Sequence, residues 1–570
     1  MSETRRVVLP PRSEYRFELD AGEALSVRLV ADPITGRRGD AEVFGMSLST
    51  GGQEKWHTFG HEVRASINSW GGAEIEIAGS ASTEYLADEQ SPMFTYGANL
   101  HLHLERLRLR AREQLRTDSA LQSQLAALDV ESANVPAPGD QESVYRANGQ
   151  GPRVMVVGPE SAGKTSLIKF LANYALRSPA VASVSDSNTA RRLTRRDAED
   201  HSEDEAEPED TDGLSDITGW WPVIVALDPS EGAVPLPGCM SALPLSPLPM
   251  TSLPSPSPAV PYGVTLQTSG SLPPSVSSVQ SVVPLIHWLG RHNVRENEQH
   301  SRRVVDWLAH GVEKRLAKDL RARMSGLLID MPGTVTADGR TRYSFIQYVA
   351  KAFKADMIVV LGHEKLTLEL QRIYGADPQA PQVVKMPKSG GAVEADEVYK
   401  QRVQDMQVRS YFYGLGALQP DEDGASRATV PGHSEPLGGV PTLNPYSTTI
   451  PIDLLDIYRV GQDRVAPSSA LPIGATRVLS EIQVVKLDLE NSSSDLSSLM
   501  HSVLAIIDKP AAKGTDESGN AAQVPEDELV GAAVIGFIHI SDIDHTRRKL
   551  TVLSPRSGKL PSTTAYIGDY

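Results

Sequence analysis

Cysteine is almost absent from this 570-residue chain: Cys239 is the only one. One thiol excludes an internal disulfide framework and any thiolate-cluster metal site, and it suits a reducing compartment, cytosol or nucleus. Long apolar runs are missing too. None approaches the roughly 18–20 residues that cross a bilayer, and the opening MSETRRVVLPPRSEYRFELD lacks the apolar core of a secretory signal, so no membrane partner is expected. Basic residues are missing from Asp197 to Asp216, which holds eleven Asp and Glu. Taking those eleven from the formal net charge of −17 leaves about −6, so the body of the protein is only mildly acidic. A locally basic nucleic-acid channel is neither favoured nor excluded. What is present, 40% hydrophobic and 22% charged residues, excludes wholesale disorder. The length exceeds what one core usually serves and predicts two to four domains.

Residues 13–100 alternate apolar and polar positions in short segments broken by Gly, Asp and Pro: Tyr15–Leu19, Ala24–Leu29, Ala41–Phe44, Val63–Ile67 and Ala73–Ile77. Period two with frequent turns predicts a small antiparallel β domain. From Leu100 to about Leu128 leucines recur three and four apart among many arginines, which predicts a helix with a packed side and a solvated basic side; a nucleic-acid helix is the alternative. After a Pro/Gly/Gln-rich link, RVMVVG (Arg153–Gly158) is a continuous apolar run followed by SLIKFLANYAL at helical spacing. Similar runs at Pro222–Leu227, Gly326–Ile329 and Met357–Leu361 predict more buried parallel strands, hence an α/β doubly wound domain. The last third returns to strand-like segments, Val534–Ile543 and Lys549–Pro555. The expected division is a β domain over 1–110, a helix and link over 111–150, an α/β domain over 151–415, a link over 416–441 and a β-rich domain over 442–570. Four stretches, 183–215, 245–278, 418–442 and 508–527, have too little apolar content to order and are expected to be mobile insertions.

Gly158-Pro159-Glu160-Ser161-Ala162-Gly163-Lys164-Thr165 fits G-x-x-x-x-G-K-[ST] between a buried strand and a helix, the context that phosphate binding requires. Glycines let backbone N–H groups point at a β-phosphate, at the positive end of the next helix. Lys164 is placed to reach the β- and γ-phosphates and Thr165 to offer its hydroxyl to Mg²⁺. Asp330, closing GLLID, suits an acid holding Mg²⁺ through water, or a turn. Asp228, closing VIVALD, suits a base accepting a proton from an attacking hydroxyl, or an Asp-Pro turn. Asp330-Met331-Pro332-Gly333 is similar to the DxxG element of switch GTPases, but no N/T-K-x-D guanine-reading motif follows within the α/β domain.

Several strings taken together resemble the eukaryotic RNA 5′-hydroxyl polynucleotide kinase family, most closely its fungal-type cleavage-and-polyadenylation branch. They are AEVFG (Ala41–Gly45), GPRVMVVGPESAGKTSL (Gly151–Leu167), LDPSEGAVPLPGCMSAL (Leu227–Leu243), PKSGG (Pro387–Gly391), VRSYFYG (Val408–Gly414) and GFIHISDID with LTVLSP (Gly536–Pro555). The resemblance implies a central P-loop ATP-binding domain between small β-rich N- and C-terminal domains. It implies that Glu14 and Arg64 of the N-terminal domain clamp the base; by pattern alone both are solvated strand charges. Gly158, Ser161, Ala162, Gly163, Lys164, Thr165 and Ser166 are then the ATP-binding loop, Thr165 and Asp330 the Mg²⁺ residues, and Asp228 a vestigial general base.

The departures from that family argue against phosphoryl transfer. Active members carry lid arginines at positions that hold Ala395 and Lys400 here, a tryptophan where Thr334 stands, and a glutamine where Glu231 stands. By analogy with arginine fingers, losing a transition-state cation lowers rates on the order of 10³–10⁵-fold. A lost base-stacking aromatic removes roughly 1–3 kcal/mol of substrate grip. The resemblance therefore implies a nuclear, kinase-inactive, ATP-binding subunit of the pre-mRNA cleavage factor. Its expected partners are the subunit that binds the RNA polymerase II C-terminal tail and other 3′-end processing factors, with RNA only an indirect contact. An active kinase of tRNA splicing or rRNA processing, and a regulatory NTPase switch, are the competing readings.

Overall fold

The computed structural model describes residues 4–117, 149–178, 220–245, 284–413, 444–460, 484–508 and 526–568, apart from short gaps within these ranges. The expected helix beyond Thr117 and the link after it, the insertions expected near 183–215 and beyond Leu245, most of the 508–527 insertion, the 416–441 link and Glu231 lie outside the described residues.

Alternating apolar residues fold the first 90 residues into nine short strands: β1 (Arg5–Leu9), β2 (Ser13–Glu18), β3 (Leu25–Val30), β4 (Glu42–Val43), β5 (Met46–Ser47), β6 (His57–Phe59), β7 (Arg64–Ser69), β8 (Ala73–Gly79) and β9 (Thr83–Ala87). The five expected strands appear within two residues of their predicted ends. The nine form a four-stranded sheet, β1-β8-β3-β6, and a five-stranded sheet, β5-β4-β7-β2-β9, and all their described pairings are antiparallel. Val27, Leu29, Ile75 and Ile77 of one sheet share a core with Phe17, Val43 and Ile67 of the other, a β-sandwich.

Helix α1 (Pro92–Thr117) starts eight residues before the predicted Leu100. Its arginines divide: Arg106 and Arg110 are exposed, as a solvated basic side requires, whereas Arg108 is 1% exposed and Arg112 is buried, with Leu104, Ala111 and Leu115 also buried on this helix. The Arg108 Nε donates to the Ser325 carbonyl at 3.0 Å. Burial lowers the Arg108 pKa to about 10, with Glu105 opposing the shift. Periodicity counts both buried arginines as polar, whereas a long stem can pack while the head meets polar partners: Arg108 reaches the Ser325 carbonyl and lies 3.7 Å from the Glu105 carboxylate.

The central domain is one seven-stranded sheet in the order β13-β12-β11-β14-β10-β15-β16. Its strands are β10 (Arg153–Val157), β11 (Val223–Ala226), β12 (Cys239–Pro244), β13 (Leu285–Trp288), β14 (Leu327–Asp330), β15 (Met357–Leu361) and β16 (Gln382–Met386). Strands β11, β14, β10, β15 and β16 are parallel; β12 and β13 add an antiparallel edge. Both faces are covered, which is why these strands are continuous apolar runs. Met155, Val157, Val225, Ile329 and Val360 point into one core with helices α3 (Glu298–Lys318) and α5 (Ser344–Ala352). Val154, Val156, Ile224, Leu328 and Val359 point into another with α1 and helix α2 (Lys164–Arg177). The remaining described helices of the domain are α4 (Leu320–Ser325), α6 (Glu364–Tyr374) and α7 (Glu397–Tyr413). Because the order reverses around β10, its carboxyl end opens at a topological switch point, where doubly wound sheets bind ligands.

The C-terminal part folds as a second seven-stranded sheet, β17-β22-β21-β20-β23-β18-β19. It comprises β17 (Tyr446–Pro451), β18 (Asp456–Val460), β19 (Val484–Lys486), β20 (Val503–Ile507), β21 (Val534–Asp544), β22 (Lys549–Ser554) and β23 (Thr564–Ile567). One face has its own core, including Ile457, Leu504, Ile538 and Val552. The other sends Val484, Ala505, Ile507, Phe537 and Tyr566 into the core of the central sheet.

Candidate functional site

The loop from Gly158 to Gly163 leaves the end of β10 and turns into α2. Gly163, at φ 87° and ψ 25°, is the left-handed residue that starts the helix. A Cβ there would meet nothing within 4 Å, so it is the backbone conformation that requires glycine. Gly158 is required for space instead: a Cβ would sit 2.8 Å from the Leu361 carbonyl oxygen. No side chain caps α2 and no acid lies in its first turn, which leaves a helix N-terminus open to an anion.

Ser161, Ala162, Gly163, Lys164, Thr165 and Ser166 line a cavity of about 280 Å³, and Asp228 lines it with them. The N-terminal domain supplies the facing wall through Glu14, Arg16, Arg64 and Tyr85, and the segment ahead of and within α7 closes it with Ser389–Val393, Ala395, Tyr399 and Val403. The expected base-clamp and phosphate residues are thus brought together. Gly158 and Asp330 are not in the wall. Gly158 packs behind the loop, and Asp330 lies beneath Thr165, whose Oγ1 donates to its Oδ2 at 2.7 Å.

Asp330 is buried, and its Oδ1 has no hydrogen-bond partner among the described residues. Burial raises its carboxyl pKa to about 6; Lys164, the Thr165 hydrogen bond and Lys169 oppose the rise, and the Asp228 charge adds to it. Lys169, fully buried one turn into α2, is driven down to about 7 by burial against the pull of Asp330. A buried carboxylate with an idle oxygen beside a threonine hydroxyl is a donor set that a hard divalent cation fits. The Lys164 Nζ donates to the Pro159 carbonyl at 2.9 Å. Asp228 also forms the Asp-Pro turn: its Oδ1 accepts from the Ser230 amide at 3.0 Å and from the Ser230 hydroxyl at 2.6 Å.

Glu14, on a strand paired with both β7 and β9, is 2% exposed rather than solvated. Its Oε2 accepts from the Arg16 Nη2 at 3.1 Å and the Ser91 amide at 2.9 Å. Arg64 is also held rather than solvated. Its Nε pairs with the Glu18 Oε1 at 2.6 Å, its Nη1 donates to the Glu394 carbonyl at 3.2 Å, and its guanidinium lies 4.2 Å over the Tyr399 ring. Arg16, Tyr85 and Tyr399 were not anticipated from sequence. Arg16 stacks against Gly391, where a Cβ would come 3.1 Å from its Nε, so the Lys-Ser-Gly-Gly run carried the available signal.

The positions where lid arginines were expected face the loop. The Ala395 amide donates to the Ser161 Oγ at 3.2 Å, and the Lys400 Nζ pairs with the Glu160 Oε2 at 2.8 Å. The Thr334 carbonyl accepts from the Arg295 Nη1 at 3.5 Å.

Three family models match in chain order: the N-terminal beta-sandwich domain of polyadenylation factor over residues 8–111, the mRNA cleavage and polyadenylation factor CLP1 P-loop over 217–414, and the pre-mRNA cleavage complex II protein Clp1 over 443–570. The chain is 58% identical to the mRNA cleavage and polyadenylation factor CLP1 of Malassezia globosa, over 98% of this chain and 93% of that one. It is 52% identical to the factor of the same name from Mycosarcoma maydis, over 100% and 98%. Among solved structures, a wild-type Clp1p–Pcf11p complex shares the fold at a TM-score of 0.62 and 20% identity, covering 100% of this chain and 98% of that one. A second Clp1p–Pcf11p structure, described as showing the basis for ATP loss in a point mutant, has the same TM-score and identity. The identity to the fungal factors over nearly the whole length, and the three models in order, show that this chain belongs to the Clp1 family of mRNA cleavage and polyadenylation factors.

Proposed function

We propose that the chain is the ATP-binding subunit of the pre-mRNA cleavage factor, required for endonucleolytic cleavage before polyadenylation, and that its nucleotide is a structural part rather than a substrate. The observation behind this reading is a division within one cavity. Residues suited to holding a triphosphate converge there, while the two positions where lid arginines were expected hold Ala395, which lines the wall, and Lys400, which is engaged by Glu160. Lys164 and the open amides of α2 would oppose phosphate charge, Thr165 and Asp330 would hold Mg²⁺, and Glu14 and Arg64 would face the base. When bound, ATP·Mg²⁺ supplies three phosphates and a cation that join the sandwich, the loop and the lid, and it stabilises the folded chain by mass action.

The five-part division given above, with boundaries at 110, 150, 415 and 441, is part of this proposal. So is a nuclear location, a partner of the Pcf11p kind that also binds the polymerase tail, and an RNA contact made only through partners. Two measurements on protein purified without added nucleotide test the reading. Denaturing it should release close to one adenine nucleotide per chain, mostly ATP, and isolation from nuclear extract should recover 3′-end processing subunits. An empty protein, or one recovered with tRNA-splicing components alone, would overturn it. Asp228 in the cavity wall favours the active-kinase reading, and a phosphoryl-transfer assay separates the two.

A further inference from the structure

Glu160 occupies a variable position of the phosphate-loop motif, yet three segments converge on it. Gly333, in the turn that follows Asp330, lies so close that a Cβ would stand 2.6 Å from both the Glu160 amide nitrogen and its Cγ. The Lys400 Nζ of α7 pairs with its Oε2 at 2.8 Å, and the hydroxyl of the next residue, Ser161, accepts from the Ala395 amide. Ala395, Tyr399 and Val403 line the cavity, whereas Glu160 and Lys400 do not. The ion pair therefore sits on the outer side of the lid, with the Lys400 side chain 19% exposed.

From this arrangement we infer that Glu160 and Lys400 form a latch: the pair holds α7 down on the phosphate loop, slows nucleotide release, and keeps the lid cation directed away from the phosphate cradle. The inference rests on the ATP-binding reading for its effect on release, and on geometry alone for its effect on the lid. Contacts that hold the lid shut include Arg64 to the Glu394 carbonyl and the Tyr399 ring, Ala395 to Ser161, and Lys400 to Glu160. The last is a direct ion pair between the lid helix and the phosphate loop. Because the pair is partly solvated, its expected weight is modest.

The test is a double-mutant cycle of Glu160→Gln and Lys400→Gln in the full-length chain, with melting curves to check folding. Release of a fluorescent ATP analogue, chased with excess ATP, should speed up about two- to five-fold in each single variant and no further in the double variant. Rates that do not change, or that multiply in the double variant, would overturn the latch. Amide hydrogen exchange over residues 395–403 in nucleotide-free protein gives a second readout, faster in every variant to a similar degree. Unchanged exchange would refute the latch even in a chain that binds nucleotide. A wild type that binds none would overturn the ATP-binding reading instead, with the exchange result still deciding the latch.

Discussion

The central sheet is flanked by two seams of opposite character. Towards the C-terminal domain the seam is dry: Phe537, Tyr566, Ala505 and Ile507 enter the same core as Trp288 and Phe412, and the Trp288 and Phe537 rings lie 5.8 Å apart. Towards the N-terminal domain it is polar and centres on one carboxylate. Glu42, 4% exposed, accepts from the Tyr174 hydroxyl at 2.6 Å and the Trp70 Nε1 at 3.0 Å, and pairs with Arg177. The Asn173 Nδ2 donates to the Phe44 carbonyl at 2.8 Å, and Gly45 lies where a Cβ would meet the Tyr174 ring at 2.7 Å. Beside this seam lies the cavity. An apolar seam holds by area and needs no ligand. A polar seam next to a gap is where a ligand makes the difference, so the two seams should respond differently to mutation and to nucleotide.

The largest effect is expected in the dry seam. Phe537→Ala should destabilise the central and C-terminal domains together by about 3–5 kcal/mol, read as one cooperative shift in denaturant unfolding. If the two domains instead unfolded in separate steps, the shared-core picture would fail. Next, saturating ATP·Mg²⁺ at about 100 times its Kd should stabilise the wild type by about 3 kcal/mol, and Lys164→Ala should lose most of that gain. Asp330 comes third: burial raises its folded pKa to about 6, well above the ordinary carboxylate range. A raised acid adds stability that is full below the unfolded pKa and is lost as pH climbs through the folded one. Nucleotide-free protein should therefore lose stability from pH 4 to pH 6–7 on account of this group, and Asp330→Asn should recover about 3 kcal/mol at pH 7 while abolishing the Mg²⁺ dependence of nucleotide binding. For the same reason Mg²⁺-dependent affinity should weaken below about pH 6. The smallest effect is expected at the polar seam: Glu42→Gln should cost about 1–2 kcal/mol and weaken nucleotide binding, measured by calorimetry, without changing the dry seam.

The parallel strands were legible because burial on both faces leaves unbroken apolar runs, and the phosphate loop because its chemistry needs adjacent residues. Glu14 and Arg64, which line the cavity, are singled out only through family resemblance, since a buried charge on a half-polar strand has the same local pattern as a solvated one. Arg16, Tyr85 and Tyr399 were missed because the wall they form comes from segments about 300 residues apart, with no spacing to betray it. The merging of the C-terminal sheet with the central core was invisible for a related reason: alternation in β20 and β21 shows two packed faces without saying what covers the second.

Incubating the purified chain with γ-labelled ATP and a 5′-hydroxyl RNA oligonucleotide is the most direct trial of the proposal that the pocket holds a triphosphate without transferring its last phosphoryl group. Label that stays in protein-bound ATP, with neither the RNA end nor free phosphate labelled, is the predicted result. Label appearing on the RNA end and vanishing in Asp228→Asn would contradict it.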